Sequence, residues 1–119
     1  MTTQEVANRL VELCRTGQIQ QAQTELYGAN MVSIEPAGAP VEKAVGLKAV
    51  VEKGKQFASM IEERHGGSIT DPIVAGKHFS MGMVLDATMK GRGRVLLEEI
   101  CVYKVENGKR LCYSPATGN

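Results

Sequence analysis

Apolar residues recur at intervals of three and four at the start of the chain. Val6, Leu10, Val11, Leu13 and Cys14 mark one face of an amphipathic helix that Thr2 or Thr3 is placed to cap. Thr16-Gly17 stops it, and Ile19, Ala22 and Leu26 repeat the spacing in a shorter second helix ending at Tyr27-Gly28. The period then changes to two: Met31 to Glu35 alternates as a strand, closed by Pro36 and followed by loop residues 37–40. After Gly46 the helical period returns, with Leu47, Val50, Val51, Gly54, Phe57, Ala58, Met60 and Ile61 on one broad stripe. Lys48, Glu52, Lys53, Lys55, Glu62 and Glu63 fall opposite it, and His65-Gly66-Gly67 ends this third helix.

Beyond residue 68 no helical period recurs. Residues 68–75, 77–89 and 94–106 read as three strands broken by Gly76-Lys77 and by Lys90-Gly91-Arg92-Gly93. Glu106-Asn107-Gly108-Lys109 signals a hairpin whose second arm pairs back on residues 94–106. That arm is expected to be short, residues 110–113, with 114–119 a turn-like tail. Helices gathered in the first half and strands in the second predict an α+β domain spanning residues 1–119, with helices laid on one face of a curved antiparallel sheet. No internal repeat or low-complexity segment interrupts it.

Side chains alternate across a strand, so the two long strands sort into faces. Phe79, Met81, Met83, Leu85 and Ala87 share one face, expected to look at the helices. In the next strand Val95, Leu97, Glu99, Cys101, Tyr103 and Val105 share the apolar face, and Glu99 is its one charged member. A carboxylate among Leu97, Cys101 and Tyr103 is partly desolvated, which suits acid or base work; neutralisation by a partner such as Lys55 is the structural alternative. Glu35, at its strand end before Pro36, is the second candidate, as a cavity-rim carboxylate or a solvated strand-end charge. Two carboxylates facing one cavity would tune each other's proton affinity.

His65 reads either as the C-terminal cap of the third helix or as a ligand-facing group, and His78 falls on the face opposite Phe79. Met60, Met81, Met83 and Met89 are compatible with a pliant apolar pocket or with ordinary core. Tyr27 and Tyr103 are phenolic donors for a ligand oxygen, or buried rings whose hydroxyls reach backbone. The expected ligand-lining set is Tyr27, Phe57, His65, Phe79, Met81, Met83 and Tyr103.

Charge and composition narrow the partners. Lys and Arg total 14 against 13 Asp and Glu, a formal charge of +1, so no global field draws nucleic acid or an anionic membrane. A hydrophobic fraction of 43% over 119 residues fills one core. No apolar run has the length of a membrane span or the form of a secretory leader, and a cytoplasmic location is expected. Cys14, Cys101 and Cys112 form no Cys-x-x-Cys pair, and the two histidines show no ligand spacing, so reduced thiols, no metal and no cofactor are expected.

Several runs together resemble a known family. Ala7-x-Arg9-Leu10-Val11-Glu12-Leu13-Cys14, Glu25-Leu26-Tyr27, Val32-Ser33-Ile34-Glu35-Pro36, Val45-Gly46-Leu47, Val74-Ala75-Gly76-x-His78-Phe79 and the hairpin Tyr103-x-Val105-x-Asn107-Gly108-Lys109 resemble a SnoaL-like domain of the nuclear transport factor 2-like superfamily. The resemblance implies a cone-shaped α+β barrel around an apolar cavity, commonly a homodimer through the outer sheet face, where Val84, Leu96, Ile100 and Val102 are expected to lie. Its relatives include ketosteroid isomerase, polyketide cyclases and limonene epoxide hydrolase beside members that only bind or assemble. The implied functions are thus a cofactor-free isomerase, cyclase or hydrolase on a small apolar molecule, or a non-catalytic binding or assembly domain. Similar proteins continue past Gly-Lys into an aromatic-ending strand, whereas residues 110–119 here are atypical and predict a shortened last strand that leaves one side of the cone open.

Overall fold

The first helix, α1 (Thr3–Arg15), begins with reciprocal capping: Thr2 Oγ1 accepts from the Glu5 amide at 3.1 Å, and Glu5 Oε1 accepts from the Thr2 amide at 2.8 Å. Its buried stripe is Val6, Ala7, Leu10, Val11, Leu13 and Cys14. The second helix, α2 (Ile19–Leu26), buries Ala22 and Leu26 and is tied to α1 by Arg9, whose Nε and Nη2 donate to Glu25 at 2.7 and 3.0 Å. There is no break after α2. Tyr27 has extended backbone and opens strand β1 (Tyr27–Ile34) directly, and Gly28 lies within that strand.

This computed structural model describes residues 2–34, 43–106 and 109–117, the last of these by backbone alone. After β1 come β2 (Lys43–Val45), α3 (Leu47–Ser59), β3 (Ile61–Ile69), β4 (Ile73–Ala75), β5 (His78–Met89), β6 (Gly93–Glu106) and β7 (Lys109–Thr117). The sheet order is β2-β1-β7-β6-β5-β3, with β4 also paired to β5. All pairings are antiparallel except β1 with β7, which is parallel. Register shifts in β1–β7, β3–β5 and β6–β7 bend the sheet, and such irregularities are what curve a strand pair around a core.

Three expectations are corrected. The third helix ends at Ser59, and residues 61–67, expected to finish it, form most of β3. The apolar stripe of α3 stops at Ala58, while Glu62, Glu63 and Arg64 in succession give no helical face to bury. His65 is therefore an exposed strand residue, bonded to Thr88 Oγ1 through Nε2 at 2.7 Å, and not a helix cap. Residues 68–75 are the end of β3 and the separate short strand β4, not one strand. The last strand is not shortened: β7 runs to Thr117 and pairs with β6 as far as Glu99. Backbone hydrogen bonding on both edges, to β6 and β1, holds it without the apolar alternation that would have announced it.

The core joins the stripe of α1 to the inward faces of β5 and β6. Phe79 and Tyr103 are register partners with ring centroids 4.8 Å apart, and Met81, Cys101 and Val105 complete the layer. Arg15 fastens the end of α1 to the end of β3, donating to Ile69 O at 2.8 Å and to Asp71 Oδ1 at 2.9 Å.

Gly67 is one position where only glycine fits. A Cβ there would stand 2.6 Å from Val84 O on β5, whereas one on Gly66 would meet nothing within 4 Å. Gly67→Ala is expected to cost about 1–3 kcal/mol in chemical denaturation, and Gly66→Ala less than about 1 kcal/mol. Acid dependence follows from four carboxylates. Glu25 is held below the ordinary range by its bond to Arg9, Asp86 by Arg94, Glu106 by Lys104 and Glu5 by the Thr2 amide. Folded values below unfolded ones give stability that is complete above the ordinary carboxylate range and lost as pH falls through it. The melting temperature should hold from neutral pH and decline below about pH 4, with a shallower decline in Glu25→Gln.

Candidate functional site

The helix α3 lies over β1 and β2, and its turn spacing decides what enters the interior. Val50, Lys53, Gly54 and Phe57 stand at i, i+3, i+4 and i+7, so one face of α3 points all four down. They close a chamber of about 210 Å³ over Leu10 and Cys14 of α1 and Ala22 and Gln23 of α2. Its sheet wall is Tyr27 and Ser33 of β1, Met83 of β5 and Tyr103 of β6. The alternation of β1 aims Met31 and Ser33 inward, and both are buried. Gly54 lets α3 approach α2: a Cβ there would lie 3.3 Å from Gln23 Nε2.

The chamber is mostly apolar with polar groups at intervals. Lys53, half-buried, donates from Nζ to Ser33 Oγ at 2.8 Å. Tyr103 is 3% exposed, and its ring rests on Phe79. Behind Met83 the thiol of Cys101 points at the Met83 sulfur, 3.4 Å away.

A groove of about 930 Å³ adjoins the chamber and shares Cys14, Ile19, Gln23, Gly54, Phe57 and Met83 with it. Glu99 lines this groove, half-buried beside Leu97 and in register with Met83, together with Arg64 and Lys55. The two spaces therefore present different chemistry on either side of Phe57 and Met83: hydroxyls and one ammonium within, a carboxylate and two cations without.

The expected lining residues divide accordingly. Tyr27, Phe57, Met83 and Tyr103 come together around the chamber. Phe79 and Met81 are 1% and 2% exposed, packed in the core, and line neither space. His65 also lines neither, and Glu35 lies outside the described residues. Lys53 went unrecognised because its charge placed it on the polar side of α3, although its spacing from Val50 and Phe57 puts it on the buried one. Among the described residues no three His, Cys, Asp or Glu side chains are grouped to hold a metal ion, and no helix is long and apolar enough to cross a membrane.

The family model of the SnoaL-like domain matches residues 1–113. Among solved structures, a Mesorhizobium loti protein assigned as a SnoaL-like polyketide cyclase is 30% identical with a TM-score of 0.92, covering 98% of this chain and 99% of its own. A protein of the same assignment from Jannaschia sp. CCS1 is 12% identical, with a TM-score of 0.78 over 98% of this chain and 85% of that one. A ketosteroid isomerase-like fold from Catenulispora acidiphila, in complex with trimethylamine, is 16% identical, with a TM-score of 0.72 over 94% and 84%. The last two share the fold. The comparison with curated proteins returned no match.

Proposed function

The chain belongs to the SnoaL-like domain family, and from the chamber it builds on that fold we propose that it binds a small, largely apolar molecule and acts on it without a cofactor, by isomerisation, cyclisation or hydrolysis. The observation that carries this reading is the chamber itself: a half-open, largely apolar space lined by three helices and the sheet, with Tyr27 and Tyr103 in its lining. A phenol can donate to a carbonyl oxygen of the occupant. Glu99, across Met83 in the adjoining groove, is the candidate proton carrier, with Glu35 as the second. The assignment of the Mesorhizobium loti relative as a polyketide cyclase favours a carbonyl-bearing substrate. The same reading keeps the chain in the cytoplasm, where the buried thiols of Cys14 and Cys101 stay reduced.

The test is a thermal-shift screen against small carbonyl, sterol-like and polyketide-like compounds, followed by turnover measurements on each hit. Glu99→Gln is expected to lower turnover by about 10²–10⁴-fold with the melting temperature nearly unchanged. Retained turnover in that variant removes Glu99 from the chemistry and passes the role to Glu35→Gln for the same test. Ligand stabilisation without turnover in the wild type would favour the binding-domain alternative.

A second copy is the partner we propose for the outer sheet face. Leu96, Ile100 and Val102 stand 58%, 57% and 40% exposed on the outward face of β6, with Glu98 between the first two, and this is apolar surface that water disfavours. Ile100→Lys is expected to halve the sedimenting mass, and an unaltered profile would discard the dimer.

A further inference from the structure

Gln23 and Gly54 each break the pattern of the helix that carries them, and they do so at one spot. Ile19, Ala22, Gln23 and Leu26 stand at i, i+3, i+4 and i+7 of α2, so a carboxamide shares the face on which Ala22 and Leu26 are buried. Gly54 lies inside α3, where glycine is a weaker helix former than alanine. The two meet: a Cβ on Gly54 would stand 3.3 Å from Gln23 Nε2, so the missing side chain leaves the carboxamide its room. Both residues line the chamber and the groove alike, which places them at the passage between the two spaces. Departures from local preference of this kind concentrate where a protein binds or reacts.

The hydrogen bonding of α2 singles out Gln23 further. Along the groove Gln18 donates to Thr16 Oγ1 at 2.9 Å, Gln21 to Glu25 Oε1 at 3.2 Å and Thr24 to the Gln20 carbonyl at 3.1 Å. The Gln20 side chain is exposed to water. Gln23 is half-buried, and among the described residues no hydrogen-bond partner meets its carboxamide. A polar group drawn from water without a partner costs free energy that a bound molecule can offset. The carboxamide is neutral and carries an acceptor oxygen beside a donor N–H on one edge, the edge with which glutamine reads adenine. Its complement is a neutral group that sets a donor beside an acceptor, as the N–H and C=O of a lactam do.

We propose that Gln23, seated over Gly54, is a specificity residue that recognises the lactam edge of a small ring compound. The ring lies in the chamber against Leu10, Ala22 and Val50, and its N–H and C=O pair with the Gln23 carboxamide at the passage. Gly54 is a positioning residue that acts through Gln23. This rests on the chamber being a ligand site, as proposed above, and names the polar group by which its ligand is chosen.

The experiment is calorimetric titration of the full chain at neutral pH with 2-quinolone and with coumarin, which keeps the carbonyl and replaces the N–H by a ring oxygen. The wild type is expected to bind 2-quinolone at least about fivefold more tightly, the range of one neutral hydrogen bond. Gln23→Leu should lose that preference while its melting temperature rises, because the apolar stripe of α2 is completed. Gly54→Ala should also melt higher, and its preference should shrink as the new Cβ shifts the carboxamide. A merely structural Gln23 would leave the ratio of the two affinities unchanged in both variants. The wild-type comparison stands even where a variant does not fold. Equal binding of both probes by the wild type leaves the chamber as a ligand site and overturns the lactam recognition. A preference that persists in Gln23→Leu overturns the role of Gln23, and one undiminished in Gly54→Ala overturns that of Gly54. Binding of neither probe counts against the chamber as a ligand site and overturns this inference with it.

Discussion

The unbroken ladder between β5 and β6 decides on which side of the sheet Phe79, Met83, Glu99 and Tyr103 fall. All 12 residues of β5 are in register with β6, from His78 opposite Lys104 to Met89 opposite Gly93, with no bulge between them. A slip of one residue would turn one strand over relative to the other, carrying either Phe79 and Met81 or Cys101 and Tyr103 to the outside and bringing Asp86, or Arg94 and Lys104, toward the core. Helix α1 has a face to pack on only in the observed register. The chamber depends on the same ladder, because Met83 and Tyr103 are its far wall. The bidentate pair of Arg94 with Asp86, at 3.0 and 2.8 Å on the exposed side, spans the two strands where a slip would start.

Long periodic segments were legible from residue order alone. The helices of the first half, the two faces of β5 and β6, and the placement of Glu99 among half-buried apolar neighbours all follow from side-chain spacing, which local geometry fixes. What escaped was set by the backbone. β7 contains Pro115 and has no apolar alternation, yet it is held by hydrogen bonds from two neighbours, and that support arises from residues far away in sequence. The Gly66-Gly67 pair reads as punctuation in one dimension. In three, it is where β3 comes so close to β5 that a side chain has no room.

The site was legible in its apolar part and misread in its polar part. Tyr27, Phe57, Met83 and Tyr103 announce themselves as large groups on inward faces. Phe79 and Met81 share those faces, but α1 covers them, and which stretch of a face is covered and which is left hollow depends on where helices end. Lys53 shows the complementary case: a long side chain can stand on a buried face and still carry its charge to a cavity, so charge is a poor guide to which way a helix residue points.

The sheet order also says something about how the molecule comes into being. β1, whose Ser33 and Tyr27 wall the chamber, reaches β6 only across β7, the last strand in sequence. The parallel pairing of β1 with β7 joins segments on the order of eighty residues apart, a loop closure that cannot occur until the ribosome has delivered β7. Helix α1 and the β3–β5–β6 portion can assemble earlier, while the β1–β2 pair and α3 wait without the strand that joins them to the rest of the sheet. During synthesis the nascent chain therefore carries an open edge on β6 in the interval before β7 closes it.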